Sequence, residues 1–363
     1  MKRNTAEIFA VQCLRFAKDT DPGLRRARAG TGFRYVDALG REVTDSVDLN
    51  RIKSLAVPPA WEEVWIAPGP DSHLQATGRD QKGRKQYIYH PHWREFRSTA
   101  KFYHIIPFAE ALPSIRERTG KDLQLPGMPR AKVLAAIIRL LEHTLIRIGN
   151  REYARKNRSF GLSTLQDRHL IIAGRDLMFH FHGKSGKEHR IKVHDRRLAA
   201  IVKRLHELPG HELFQYYDDK GVHRVVDSAE VNEYLHEITK RDFTAKEFRT
   251  WGGTVIAAAA FAEMGPFRTE GEAKRNVSEA IKKAAERLGN KPSICSKYYV
   301  HPAITAAYLK GDLIRGNEGN GVMEQSLNDL QPLEKQVLEI IREYENEMKT
   351  GNRGEPFCEA GLY

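Results

Sequence analysis

Two adjacent tyrosines, Tyr298 and Tyr299, lie in the segment LGNKPSICSKYYVHPA at residues 288–303. A tyrosine hydroxyl can act as a nucleophile that forms a covalent intermediate with its substrate. Taken alone, the pair favours a simpler interpretation, in which a helix buries one ring and exposes the other. Residues elsewhere in the chain have to decide between these two interpretations.

Three basic residues in other segments could assist such a nucleophile at a phosphate group: Arg147, Lys184 and Arg249. An arginine fork can hold two phosphate oxygens at once, and a lysine can donate a proton to a leaving oxygen. Each residue also has a structural explanation. Arg147 could stabilise a helix C-terminus, Lys184 could be a solvated turn residue, and Arg249 could form a surface ion pair.

The elements that must position these residues change in character near residue 92. Before it, short strand-like runs separated by glycine and proline predict a β-rich domain over residues 1–92. We expect a hairpin at 32–44 that turns at Leu39-Gly40, and a short helix at 46–55 that Ser46 or Asp48 caps. The further predicted strands are residues 63–68, 73–80 and 84–90.

Beyond residue 92 the hydrophobic pattern is mostly helical. Apolar residues recur at intervals of four, four, four and three at Val133, Ile137, Leu141, Leu145 and Ile148. Alternation in residues 169–194 predicts a three-stranded sheet, with Lys184 at a hairpin tip. We therefore expect an α+β protein with a mostly helical catalytic domain over residues 93–348 and a frayed tail over residues 349–363.

Local signals predict where several helices of this domain begin and end. Asp195 is placed to cap one helix, and Thr244 with Glu247 forms a capping box at the start of another. Gly289 is placed to end the helix that precedes the tyrosine pair.

The charge and composition of the 363-residue chain narrow the range of partners. The net charge is +12 and the isoelectric point is near 9.5, and a basic surface attracts polyanions such as nucleic acid. No run of about 18 apolar residues is present, so we expect no membrane span. The N-terminus does not resemble a signal peptide, and Cys13, Cys295 and Cys358 are widely separated, so a reducing cytoplasm is the expected location.

Two familiar site motifs are incomplete. The segment HGKSGK around Lys184 contains Gly-Lys-Ser, but Met178 stands where a nucleotide-binding phosphate loop needs a glycine. His180 and His182 alternate along a predicted strand, yet no third ligand lies at a supporting spacing. We therefore expect neither a metal site nor a cofactor.

Jointly, the segments RIGN, HGKSGK, KEFRTWGG and GNKPSICSKYY resemble the type IB DNA topoisomerases, especially the poxvirus and bacterial branch, over nearly the whole chain. The family orders its catalytic residues as Arg, Lys, Arg, His or Asn, and Tyr. The resemblance assigns these roles to Arg147, Lys184, Arg249, Asn290 and Tyr299. It makes Tyr299 the nucleophile, nine residues after Asn290. Since adjacent helical residues point about 100° apart, we expect Tyr298 to pack instead.

The resemblance also implies the reaction. Tyr299 would cut one strand of double-stranded DNA through a 3′-phosphotyrosyl link, allow rotation and reseal the strand without ATP, metal or other cofactor. Arg147, Arg249 and Asn290 would stabilise the non-bridging oxygens, and Lys184 would protonate the leaving 5′-oxygen. The family's architecture implies a monomer whose two domains wrap the duplex, located with the nucleoid.

A second signature lies in the N-terminal domain. The segment GRDQKGRKQYIYHP at residues 78–91 resembles the family pattern of Gly-Arg-Asp, basic residues and Tyr-x-Tyr. Strand alternation puts Tyr87 and Tyr89 on one face and Gln86 and Ile88 on the other. The alternative is an ordinary half-buried strand. The candidate DNA-binding residues are Arg79, Lys82, Arg84, Lys85, Gln86, Tyr87 and Tyr89.

Two other functions remain open from the sequence. A tyrosine site-specific recombinase shares the catalytic domain and the nucleophile, but typically carries His-x-x-Arg at the second arginine, where this chain has Lys246 in KEFR. A catalytically silent architectural DNA-binding protein would not need the full set of Arg, Lys, Arg, Asn and Tyr. Both features favour the topoisomerase.

Overall fold

The computed structural model describes residues 14–94, 102–312 and 328–350. The chain divides into two compact units, residues 1–101 and residues 102–363. Cys13, Cys358 and residues 351–363 of the predicted tail lie outside the described residues.

The N-terminal unit is built on one antiparallel sheet with a helix packed against it. Its strands are β1 (Leu24–Ala29), β2 (Gly32–Val36), β3 (Glu62–Ile66), β4 (Leu74–Arg79) and β5 (Lys85–Tyr89), and its helix is α1 (Ser46–Ser54). The strand order is β2-β1-β3-β4-β5. A small core forms where Ile52 of α1 joins apolar residues of the sheet, including Leu24, Val64 and Ile66.

Two sequence predictions for this unit are wrong in detail. The chain turns at Leu39-Gly40 as predicted, and the N–H of Val43 donates to the Tyr35 carbonyl at 2.9 Å, but the second arm forms only a short pairing around Val36 and Glu42, and β2 pairs along its length with β1 instead. Helix α1 is capped by Asp45, whose carboxylate accepts from the backbone N–H groups of Val47 and Asp48. Asp45 holds an extended backbone just before the helix, the conformation that an N-cap needs, so neither Ser46 nor Asp48 is the cap.

The second unit is mostly helical. Its described helices are α2 (Ile105–Asp122), α3 (Arg130–Thr144), α4 (Arg151–Asn157), α5 (Arg196–His206), α6 (Ser228–Thr239), α7 (Ala245–Met264), α8 (Glu270–Leu288), α9 (Pro292–Tyr298), α10 (Pro302–Lys310) and α11 (Pro332–Thr350). Its described strands are β6 (Leu170–Ala173), β7 (Asp176–His182), β8 (Glu188–His194), β9 (Gln215–Tyr217) and β10 (His223–Val225). Strands β6-β7-β8 form the predicted three-stranded sheet, and the α+β class is confirmed.

Three predicted helix ends of this unit are confirmed, but the apolar repeat that runs to Ile148 overstates α3, which ends at Thr144 because Leu145 takes a left-handed φ of 55°. Asp195 caps α5 by accepting from the N–H of Leu198, and Thr244 with Glu247 forms the capping box of α7. Gly289 follows α8 with a left-handed φ of 64°, which glycine adopts without strain. Among the described residues, no helix is long and apolar enough to cross a membrane.

A buried polar cluster fixes the position of α7, the helix that carries Arg249. Arg116 of α2 donates to Glu142 of α3 at 2.6 Å and to Glu334 of α11 at 2.8 Å. Trp251 of α7 donates its indole N–H to Glu334 at 3.1 Å. Because these groups are buried and satisfy one another, they hold four helices in one arrangement.

Candidate active site

Tyr299 occupies the first position after helix α9, not a position within it. Its φ of −136° and ψ of −18° turn the chain out of the helix. The exposed fraction of Tyr298 is 37 %, and the Lys297 ammonium lies 5.7 Å from its ring centre. The expectation that both tyrosines are helical, with Tyr298 packed inside, is therefore wrong. The end of the helix turns Tyr299 inward and leaves Tyr298 at the surface.

The segment Arg249-Thr-Trp-Gly-Gly-Thr254 of α7 brings the backbone of Tyr299 close. A Cβ at Gly253 would lie 2.9 Å from the Tyr299 carbonyl oxygen and 3.3 Å from its Cβ, so only glycine permits this approach. Thr254 Oγ1 donates to the same carbonyl at 3.2 Å and accepts from the N–H of His301 at 3.0 Å. Helix α7 thus holds the carbonyl end of Tyr299 and the backbone of His301, two residues further on.

Arg249 is buried, with an exposed fraction of 4 %. Its two terminal nitrogens donate to the carbonyls of Leu145, just after α3, and of Leu288, the last residue of α8, the latter at 2.8 Å. Helix C-termini leave such carbonyls unpaired, so one guanidinium joins two helix ends. The remaining nitrogen, Nε, is buried without a well-formed hydrogen bond among the described residues, while the guanidinium as a whole interacts with the Tyr299 hydroxyl.

Arg147 lies in the loop two residues beyond Leu145. Leu145 closes α3 in a left-handed conformation, with φ of 55°. The N–H of Leu162 donates to the Arg147 carbonyl at 2.8 Å, and Gly161 packs so closely there that a Cβ would clash with this oxygen. The Arg147 side chain donates to the Oδ1 of Asn290. Asn290 Nδ2, like Arg249 Nε, is buried without a partner among the described residues.

These cations change the acidity of the tyrosine. Burial acts to raise the pKa of Tyr299, but the positive charges of Arg249 and Arg147, with a smaller contribution from Lys246, lower it overall. Burial and the charge of Arg147 lower the pKa of Arg249 to about 10, so Arg249 stays protonated near neutrality. The site thus makes the Tyr299 hydroxyl more acidic and holds unused donors, two features that suit attack on a phosphate.

Lys184 lies at the tip of the turn between β7 and β8, as predicted. The turn is closed by the N–H of Gly183, which donates to the Lys187 carbonyl at 2.8 Å, and Ser185 takes a left-handed φ of 64°. Lys184 is exposed and has no ion pair among the described residues. The structure therefore brings Arg147, Arg249, Asn290 and Tyr299 together and leaves the Lys184 ammonium in solvent.

One residue that the sequence did not single out joins this turn to the cluster. The ring of His189 on β8 stacks on Phe181 with 5.0 Å between ring centres. It also fills the space beside Gly183 and Gly289, where a Cβ on either glycine would clash with it. In the sequence, the only signal for these contacts is that His189 lies on the same hairpin as Lys184, five residues after it.

A second missed feature is an arginine-lined cleft whose lining begins at Arg151, four residues after Arg147 in the chain. It has a volume of about 520 Å³, and its walls include Phe160 and Glu212. Helix α4 forms one side and buries none of its residues. The four arginines of the cleft are Arg151, Arg155, Arg158 and Arg168. The basic run NREYARKNR could have indicated it.

The N-terminal candidates lie on and around β4 and β5. Tyr87 and Tyr89 stack with ring centres 5.9 Å apart and an interplanar angle of 9°, so they share one strand face. Their basic and polar neighbours are engaged within the unit. Arg79 pairs with Glu63 at 2.7 Å, Arg84 pairs with Asp80 at 2.6 Å, Lys85 pairs with Asp19, Gln86 donates to Asp80 at 2.9 Å, and the backbone N–H of Lys82 donates to Asp80 at 2.9 Å.

His180 and His182 were considered above as a pair of metal ligands, and His180 instead has a carboxylate partner. His180 forms a 2.5 Å hydrogen bond with Glu188, on the neighbouring strand. Within the described ranges, no group of three or more His, Cys, Asp or Glu side chains could hold a metal ion.

Comparison with known proteins gives consistent family matches. Residues 90–310 match the family model described as the catalytic core of eukaryotic DNA topoisomerase I, and residues 32–80 match that of the N-terminal domain of bacterial DNA topoisomerase IB. DNA topoisomerase 1B of Acanthamoeba polyphaga mimivirus is 30 % identical over 285 residues, 77 % of this chain and 85 % of that protein.

Two poxvirus proteins are more distant relatives. DNA topoisomerase 1 of rabbit fibroma virus is 25 % identical over 63 % of this chain and 70 % of the viral protein. DNA topoisomerase 1B of vaccinia virus, strain Copenhagen, is 23 % identical over 67 % of this chain and 73 % of its own length. Because the catalytic-core model covers more than half of the chain and the mimivirus protein matches across most of both chains, this protein belongs to the type IB DNA topoisomerase family.

Proposed function

We propose that this chain relaxes supercoiled duplex DNA by cutting and resealing one strand through a covalent link to Tyr299. The observation that carries the proposal is the pair of buried donors, Arg249 Nε and Asn290 Nδ2, that lack partners in the cluster around this tyrosine. A buried donor without an acceptor is costly unless a ligand supplies one. A non-bridging oxygen of a DNA phosphate is an acceptor of the right charge.

The cleavage step follows from these groups. The Tyr299 hydroxyl gives its proton to water, and its oxygen bonds to the phosphorus while the bond from phosphorus to the 5′-oxygen breaks. Arg147, Arg249 and Asn290 hold the charge that builds on the non-bridging oxygens. Lys184 donates a proton to the departing 5′-oxygen as the DNA approaches the exposed turn.

The resealing step reverses cleavage. After one strand has rotated about the other, the 5′-hydroxyl attacks the 3′-phosphotyrosyl link and releases Tyr299. The covalent link conserves the energy of the broken bond, so the cycle needs no ATP.

Two basic surfaces support duplex DNA as the substrate, one in each unit. The arginine-lined cleft lies next in sequence to Arg147 and concentrates charge suited to backbone phosphates. In the N-terminal unit, the stacked face of Tyr87 and Tyr89 has Lys85 within 5.7 Å of the Tyr87 ring. We propose that both units contact the duplex and that the N-terminal set Arg79, Lys82, Arg84, Lys85, Gln86, Tyr87 and Tyr89 belongs to that contact.

Relaxation of a supercoiled plasmid in EDTA and without ATP tests this function. We expect a ladder of topoisomers that ends in the relaxed form, and no activity from Tyr299→Phe. A protein that changes the plasmid only when paired target sites are present would be a recombinase. An unchanged linking number with intact DNA binding would indicate an architectural protein.

A further inference from the structure

The turn that carries Lys184 belongs to a hairpin, whereas Asn290 and Arg249 belong to the helices. The proton donor and the phosphate-binding groups must nevertheless act on the same phosphate. A misplacement of about 1 Å can cost about 10²-fold in rate, so the separation between these two elements has to be set by a physical contact.

The ring of His189 occupies the space between the two elements. It lies against Gly183, which immediately precedes Lys184, and against Gly289, which immediately precedes Asn290. A Cβ on Gly183 would lie 2.6 Å from His189 Nε2. The opposite support is Phe181, whose ring is nearly parallel to that of His189, at 11°.

The His189 ring acts by occupying space, and not through a hydrogen bond or a charge. Among the described residues, no hydrogen bond involves a ring nitrogen of His189, and the side chain is partly buried. Burial, together with the nearby charges of Arg147, Arg249 and Lys187, lowers the pKa of His189 to about 4. The imidazole is therefore neutral near pH 7 and adds no charge to a site that has to attract a phosphate.

We propose that His189 is a positioning residue for DNA cleavage, a spacer whose ring sets the distance between the Lys184 turn and the Gly289–Asn290 segment. This inference rests on the proposed function, because it assumes that Lys184 protonates the 5′-oxygen. Without the ring, the turn would close into the vacated space and the ammonium would miss that oxygen.

The first test compares cleavage of an ordinary DNA duplex with cleavage of one that carries sulfur at the 5′-bridging position. A thiolate leaves without needing a proton, so the sulfur substrate does not depend on the proton donor. We expect His189→Ala to slow single-turnover cleavage of the oxygen substrate by about 10- to 100-fold. On the sulfur substrate it should recover to within about threefold of wild type, with unchanged DNA affinity.

Two further variants separate positioning from folding. His189→Phe keeps an aromatic spacer and should cleave the oxygen substrate within about threefold of the wild-type rate, well above His189→Ala. His194→Ala is the matched control, an exposed histidine of the same strand whose Nδ1 bonds Asp176 at 2.6 Å, and it should cleave like wild type. Equal impairment of His189→Ala on both substrates, or a His189→Phe rate as low as that of His189→Ala, would overturn the spacer role.

A double-mutant cycle tests the contact itself. Gly183 has φ of −92°, a backbone conformation that alanine also adopts. The effect of Gly183→Ala should therefore come from the clash of its methyl group with the His189 ring. Gly183→Ala should slow the oxygen substrate by pushing the turn away, and adding it to His189→Ala should cause no further loss. Multiplicative effects would show that the two residues act independently and would contradict the proposal.

The controls distinguish failure of this inference from failure of the proposed function. If wild-type protein forms no covalent adduct with either duplex, the proposed function fails. If wild type cleaves both duplexes and His189→Ala cleaves the oxygen substrate at the wild-type rate, only the spacer role fails.

Discussion

The guanidinium carbon of Arg249 lies 5.1 Å from the centre of the Tyr299 ring. At this distance a cation is attracted to the face of the ring and also stabilises the negative charge of a phenolate. The same guanidinium joins the C-terminal ends of α3 and α8. One buried side chain therefore contacts the Tyr299 ring, lowers the pKa of its hydroxyl and joins two helices around it.

Replacing Arg249 with alanine should impair both chemistry and stability. We expect single-turnover cleavage per folded molecule to fall by about 10²–10³-fold, because a donor to the charged transition state is lost. The free energy of unfolding should fall by about 1–3 kcal/mol, because two buried carbonyls lose their donor.

The matched control for this variant is Arg287→Ala. Arg287 donates to the carbonyl of His143, near the C-terminal end of α3, but it is exposed and lies outside the cluster. The Arg287→Ala variant should cleave DNA at nearly the wild-type rate. If Arg249→Ala cleaves as fast as Arg287→Ala, the assigned role of Arg249 is wrong.

Gly253 should be needed for the position of Tyr299 and not for the formation of helix α7. Gly253→Ala would place a methyl group 2.9 Å from the Tyr299 carbonyl oxygen, so the Tyr299 backbone must move. We expect adduct formation to slow by about 10²-fold through this displacement. Gly271→Ala is the control, since a Cβ at that helical glycine meets only the end of Arg275, at 3.8 Å. Equal rates for the two variants would show that the close approach is unimportant.

The buried His301, two residues after the tyrosine, should make stability depend on pH. Burial lowers its pKa to about 3, so it stays neutral in the folded protein while the unfolded chain takes up a proton below about pH 6.5. This histidine therefore reduces the free energy of unfolding as the pH falls from about 6.5 towards 3. From pH 7 to pH 5 the loss should be about 2 kcal/mol.

Chemical denaturation of His301→Asn at both pH values measures this contribution. Asparagine can still accept the N–H of Ala303 that His301 Nδ1 accepts at 3.1 Å, but it does not titrate. The stability difference between wild type and variant should thus shrink by about 2 kcal/mol from pH 7 to pH 5. Parallel pH profiles would mean that His301 is already protonated or is reached by solvent.

We expect Tyr87 and Tyr89 to contribute to DNA binding, although Tyr89 also packs against the buried residues Trp65, Ala67 and Leu74. Tyr87 is 48 % exposed, so Tyr87→Ala with Tyr89→Ala should weaken formation of the covalent complex more than it lowers the melting temperature. Tyr217→Ala removes a similarly exposed tyrosine from the second unit and serves as the control. A large drop in melting temperature with unchanged cleavage per folded molecule would support ordinary packing.

The sequence predicted features that depend on local chemistry. The Thr244–Glu247 capping box, the Asp195 cap and the three-stranded sheet each follow from residues close together in the chain. Family resemblance brought together residues as distant as Arg147 and Asn290, whose side chains are in contact in the structure.

Features that depend on tertiary contacts were missed or misplaced. One local feature was missed as well, because β1 and β2 form a hairpin across the two-residue turn Gly30-Thr31. Tyr298 is exposed because α9 ends at this residue and the chain turns at Tyr299. His189 acquires its place only because Gly183 and Gly289, far apart in sequence, both meet its ring.

The most direct test of the central claim is to map the residue that becomes covalently joined to DNA. Wild-type protein is incubated with a duplex labelled at its 5′ end, trapped with detergent, and compared with Tyr299→Phe and Tyr298→Phe. We predict that Tyr298→Phe forms the adduct and relaxes plasmid like wild type, while Tyr299→Phe binds DNA but forms no adduct. An adduct that persists in Tyr299→Phe, or disappears in Tyr298→Phe, would contradict the assignment of the nucleophile.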